Sequence, residues 1–109
     1  MKLISLNPLR KRIQKLLEPL FEPEALVLVS VNVLRHVHIA IVSERFNDLD
    51  LEQRDALVWP TLEQHLSEEE LNRITMCMLM DPQEGSQMIP DLAVVQKAAH
   101  PEPQLRTES

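Results

Sequence analysis

His36 and His38 stand two residues apart in the run His36-Val-His-Ile-Ala-Ile-Val-Ser43. In an extended chain alternate side chains share a face, about 7 Å apart, so the two imidazoles are spaced to approach one metal ion. Two nitrogens do not fill a coordination sphere, and the competing reading is a strand face whose ring nitrogens meet backbone and carboxylate groups. Cys77, the single cysteine, lies in Ile74-Thr-Met-Cys-Met-Leu-Met80. One cysteine excludes an intrachain disulfide and any CxxC or Cys₄ metal site. Met76, Met78 and Met80 add soft sulfurs, but side chains alternate along a strand, so the four sulfurs do not converge. The methionines read as adaptable core filler and Cys77 as an inert, buried thiol. Ser43 ends the histidine run, where a hydroxyl serves to cap the following turn. The chain has no nucleophile elbow, Gly-rich phosphate loop or paired-carboxylate setting, and the reading is of a protein that is not an enzyme.

Charge narrows the partners. The formal net charge is −6, which repels phosphate backbones. Residues 1–16 nevertheless hold five basic groups and no acid, while residues 44–70 hold nine acids against Arg45 and Arg54. This is either two solvated helix faces of opposite sign or an asymmetric docking surface. The only glycine is Gly85, so a GXXG nucleic-acid loop is absent. A nucleic-acid-associated regulator, the alternative function, would have to use Arg10, Lys11, Arg12 and Lys15. Trp59, the only tryptophan, sits beside Pro60; it is either a core anchor or part of a docking patch.

The elements that must position these groups follow from periodicity. Asn7-Pro8 suits a helix start, with Asn7 as cap, and Leu9, Ile13, Leu16, Leu17 and Leu20 then form one apolar stripe. Pro19 and Pro23 end it. Residues 25–33 alternate valine with other residues and predict a strand; residues 36–43 predict a second, paired with it as an antiparallel hairpin across a short joint at Leu34-Arg35. Asp50 is a helix cap, and Leu51, Arg54, Val58, Leu62 and Leu66 mark one side of the helix that follows. Pro60 predicts a kink or two abutting helices. Ser67 and Glu70 form a capping box before a short helical turn. Residues 74–80 read as a third strand buried on both faces, joined in parallel to one hairpin strand with the second helix as crossover. Asp81-Pro82 is read as a turn, residues 90–99 as a last helix with Leu92, Val95 and Ala99 on one side, and residues 100–109 as a disordered tail. The result is a single α+β domain over 1–99, with a core at 7–84: an αββααβ(α) order, a small three-stranded mixed sheet, and helices packed on one face. No secretory signal or run of about 18 apolar residues is seen, so the expectation is a cytoplasmic, non-membrane protein, monomeric or weakly dimeric.

His36, Val42, Ser43, Phe46, Arg54, Leu62 and Leu66 fall without a gap on a pattern that resembles the BolA-like family: a His, an apolar strand ending in Val-Ser, a Phe three residues after the Ser, an Arg eight residues on, then spaced leucines. The match is best over residues 36–66. Asp81-Pro-Gln-Glu84 is similar to the family's Thr-Pro-Glu-Glu turn after the third strand. The resemblance implies a KH-like fold. It also implies a non-enzymatic role as partner of a monothiol glutaredoxin or another iron–sulfur assembly protein, in cluster trafficking or in redox and stress regulation, with a [2Fe–2S] cluster shared between the two. The chain departs from the pattern at Asp48, where the family has Gly; at Asp55-Ala56, where it has His-Arg; and at Thr75, where it has a ligand His. The hairpin joint carries no second ligand. His36 and His38 are therefore the remaining candidate cluster donors, and Arg54 and Trp59 the candidate partner contacts. A metal-free adaptor on the same fold, using Trp59 and the acidic face, is the third reading.

Overall fold

The structure, a computed structural model, describes residues 5–89. Helix α1 (Asn7–Leu17) buries Leu9, Ile13 and Leu17, the expected stripe. Asn7 is not its cap. Leu6 holds that position, and the Ser5 hydroxyl accepts from the Asn7 N–H at 3.2 Å, so Asn7 and Pro8 form the first turn. A single 3₁₀ turn (Glu18–Leu20) takes up Pro19 and delivers Phe21 to the core.

Strands β1 (Leu26–Val31) and β2 (Val37–Val42) pair antiparallel, from Leu26 opposite Val42 to Val31 opposite Val37. The expected two-residue joint is a five-residue loop, 32–36. Asn32 organises it: its side-chain oxygen accepts from Leu34 N–H at 2.9 Å and His36 N–H at 3.0 Å. This is the local side-chain substitute for a turn dipeptide. Arg35 takes φ 65° there.

Helices α2 (Leu51–His65) and α3 (Glu68–Asn72) carry the chain over to β3 (Ile74–Met80), which lies parallel to β2 at the sheet edge, in the order β1-β2-β3. The α+β class, the mixed sheet and the crossover are those expected. Helix α2 runs through Pro60 as one element, with Pro60 on its exposed side. Three capping boxes start helices: Asp50 with Gln53, Ser67 with Glu70, and Asp81 with Glu84. The third opens α4 (Pro82–Met88), where the sequence suggested only a turn. The helix expected over 90–99 and the tail at 100–109 lie outside the described residues.

One sheet face carries Val27, Val29, Val37, Ile39 and Ile41, buried beneath α1 and α2 together with Phe46, Val58 and Leu62. The opposite face has a second, smaller cluster of Leu26, Val42 and Met80, with Ile89 packed on it. Strand β3 is not buried on both faces. Only Leu79 and Met80 are buried, and Met76 is 46% exposed. A bulge between Val37 and His38 sets Ile74 opposite Val37 and Met76 opposite His38, leaving Thr75 as the extra residue.

Candidate docking site along the third strand

Ser43, Phe46 and Arg54, three of the residues that carry the resemblance, lie at the end of the sheet where β2 leaves it. Phe46 is fully buried, 5.3 Å from Phe21 between ring centroids. Ser43 is buried and donates its hydroxyl to Glu22 at 2.7 Å, while accepting from Arg45 N–H. Burial works against the Glu22 charge more than any other single influence. The bonds from Ser43 and from backbone N–H groups, with Arg45 nearby, still hold its carboxyl below the ordinary value of 4.5. The Arg45 guanidinium also donates to the Leu20 carbonyl.

Arg54 is only 6% exposed. Its guanidinium lies 5.9 Å from the Phe46 ring centroid and donates to the carbonyls of Leu49 and Leu79, each at 2.9 Å, and to Glu84 at 2.5 Å. Asp81 stands 3.7 Å away. The Glu84 carboxyl is held below its ordinary range first by the Asp81 N–H and then by Arg54. Arg54 therefore ties α2, β3 and α4 together. Offered as a partner contact, Arg54 has little surface left to present, because a planar guanidinium at this position matches two carbonyls and a carboxylate at once. Trp59 is half-buried against the core beside Leu57, the anchor side of the two readings.

The two candidate ligands do not share a strand face. His38 is on the open face, opposite Met76, with its Nε2 3.4 Å from the Asn32 side-chain amide. His36 belongs to the hairpin loop. Cys77, opposite Ile39, packs on the helix-covered side; burial, with the Asp55 charge second, pushes its thiol up to about 12. Cys77 and His38 thus lie on opposite faces. Among the described residues no group of three His, Cys, Asp or Glu side chains is placed to hold a metal ion. The described residues do not by themselves make up a cluster site.

On α1, Lys11, Arg12 and Lys15 are exposed and Arg10 is half-exposed. Arg12 does not face solvent alone: it meets Glu70 of α3 at 2.7 Å, and this bond holds the Glu70 carboxyl below its ordinary value. The basic and acidic blocks are therefore neighbours joined by an ion pair, and one of the four basic groups is partly neutralised.

The feature that sequence reasoning missed runs along the outer edge of β3. An open groove of about 390 Å³ lies between the start of α2 and α4, floored by Cys77, Met78, Leu79 and Met80. Leu51, 74% exposed, stands on one bank and Met88, 59% exposed, on the other. Leu51 shares one side of α2 with Val58 and Leu62 by spacing, but it lies one position past the Asp50 cap and stays exposed. Arg54 occupies the Leu79 carbonyl at one end of the groove, so the edge is blocked there and open toward Thr75. An unpaired edge strand flanked by apolar side chains is a ready template for another chain. No family model, no curated protein and no solved structure matches this sequence. No helix among the described residues is long and apolar enough to cross a membrane.

Proposed function

We propose that this chain is a non-enzymatic, cytoplasmic docking domain of the BolA-like kind that engages a partner protein along the outer edge of β3. The observation that carries the reading is the groove over β3, with Leu51 and Met88 presented to solvent on its two banks. The resemblance supplies the partner class: a monothiol glutaredoxin or another iron–sulfur assembly protein. Asp48 supports the resemblance. It takes φ 63° at the position where the family has Gly, the residue that adopts that conformation without a steric penalty. Docking does not depend on a shared [2Fe–2S] cluster. The contribution open to this chain is one imidazole, from His36 or His38, with the remaining ligands from the partner. Binding nucleic acid through Arg10, Lys11, Arg12 and Lys15 has less support, given the Arg12–Glu70 pair and the acids beside it.

Titration into a monothiol glutaredoxin, with and without its cluster, tests this. Saturable binding is expected, weakened about tenfold or more, or about 1.4 kcal/mol, by Leu51→Lys or Met88→Lys. Urea midpoints should be unchanged in both variants, since both side chains are exposed. Absence of binding in both cluster states removes this partner class. Binding that ignores both substitutions removes the groove. A change in visible circular dichroism abolished by His36→Ala or His38→Ala assigns the donor; binding that persists in chelator without such a change selects the adaptor form.

A further inference from the structure

The loop joining β1 to β2 carries two apolar side chains turned to solvent at its tip. Val33 is 95% exposed, the most of any large apolar residue among those described, and Leu34 beside it is 69% exposed. The loop is closed by its own bonds. Asn32 N–H donates to the His36 carbonyl and Arg35 N–H to the Asn32 carbonyl, each at 3.0 Å, beside the two bonds that the Asn32 side chain accepts. The pair is thus held in a fixed place, and docking has little further chain to order. No acid lies between Glu24 and Glu44 or between Glu70 and Asp81, the two stretches that hold all three strands. The arginines in those stretches both sit at this end of the sheet. Arg35 is in the loop, and the Arg73 carbonyl accepts from Val37 N–H at 2.8 Å, where the loop enters β2. The acids of α3 occupy its first turn, and Glu70 is bound to Arg12.

We infer that this tip seats on an anionic lipid surface, with Val33 and Leu34 passing below the headgroups and Arg35 and Arg73 level with the phosphates. The tip is a projection. It fits a medium that yields around it, which a bilayer offers at every point, whereas a protein would have to present a matching hollow. Apolar insertion and attraction to anionic headgroups are each weak alone, and reversible anchoring takes both. The net charge of −6 opposes approach to such a surface, and an acid-free end reduces that repulsion. Helix α1 also bears cations, but its exposed side has no large apolar side chain to insert. The expectation of a non-membrane protein came from the absence of a spanning segment, and a surface contact needs none. The tip shares no residue with the groove over β3, so the inference stands apart from the proposed partner.

Vesicle co-sedimentation of the full chain at low salt tests this. Vesicles of phosphatidylcholine and phosphatidylserine in about a 2:1 ratio should bind it several-fold more tightly than phosphatidylcholine alone. Val33→Asp with Leu34→Asp should weaken binding about tenfold or more, and Arg73→Gln about fivefold. The urea midpoint of the double variant should be that of the parent, since both side chains are exposed. Leu34→Trp reads insertion directly: its emission should move to shorter wavelength with vesicles, and lipid brominated in the acyl chains should quench it. No binding by the unaltered chain overturns the inference. Equal binding to both compositions overturns the anionic assignment. Binding that survives Val33→Asp with Leu34→Asp and disappears in salt is adsorption through α1, and overturns the assignment to the tip. If vesicles leave the chain in solution and the double variant loses its titration into a monothiol glutaredoxin, the tip is a protein contact and the lipid inference falls.

Discussion

Removing the Arg54 guanidinium leaves the buried Leu79 carbonyl and the part-buried Leu49 carbonyl without their donor and takes the cation from beside Asp81 and Glu84. Glu84 is half-exposed and regains water, so the cost comes chiefly from the carbonyls of Leu49 and Leu79. Arg54→Met is expected to lower unfolding free energy by about 2–3 kcal/mol in urea titrations. Arg54→Lys should recover only part, because an ammonium does not reproduce the planar fork. Asp48 predicts a change of the opposite sign. With φ at 63°, Asp48→Gly should stabilise the fold by about 0.5–1 kcal/mol, the relief of a left-handed backbone less the added freedom of the unfolded chain. Cys77 predicts silence: with its thiol raised to about 12, it should resist iodoacetamide at neutral pH and react fully in urea. Fast labelling of the native protein would show that the helix side of the sheet opens.

At the level of elements, the sequence is legible where one local signal decides. Alternating valines gave the hairpin, apolar spacing gave α1 and α2, Asp50 reads as a helix cap and Ser67 with Glu70 as a capping box. It is not legible where tertiary position decides. Ile74 to Met80 has the apolar composition of a two-sided buried strand, yet among the described residues β3 is an edge, and nothing in its own seven residues states its place in the sheet. The bulge at Thr75 also escapes a parity reading: it lets Ile74 pack against the core although Met76, Met78 and Met80, of the same parity, share the other face. Helix α4 carried a readable signal, Asp81 with Glu84 three residues on and Pro82 between, the spacing already read at Ser67 and Glu70. The β3 groove left no such trace, since its banks come from α2 and α4 and its floor from β3. The boxes make their own prediction. Asp50→Ala should lower stability by about 1 kcal/mol, measured by thermal or urea unfolding, because one side chain both accepts from Gln53 N–H and aligns the return bond.

For the molecule as a whole, carboxylates held below their ordinary value set the acid response. Glu22, Glu70 and Glu84 all bind protons less readily folded than unfolded. Unfolding therefore takes up protons once the pH falls below about 4.5, the ordinary value, and stability falls as pH drops through the lowered folded values. The melting temperature should be nearly flat from neutrality down to that point and decline below it; Glu70→Gln should reduce stability at neutral pH slightly and make the acid decline shallower. The central position of β2 has a consequence of another kind. Its pairing with β1 closes across a five-residue loop, but its pairing with β3 waits for the whole crossover through α2 and α3. Local contacts form before distant ones when chain closure sets the rate. Refolding should therefore pass its barrier with the hairpin assembled and β3 still undocked, so that Val29→Ala slows folding whereas Leu79→Ala mainly quickens unfolding in stopped-flow experiments. Until β3 arrives, the strand with the most buried side chains in the sheet presents a bare edge. The newly made chain is then most prone to self-association, and the order in which its strands join sets how long that interval lasts.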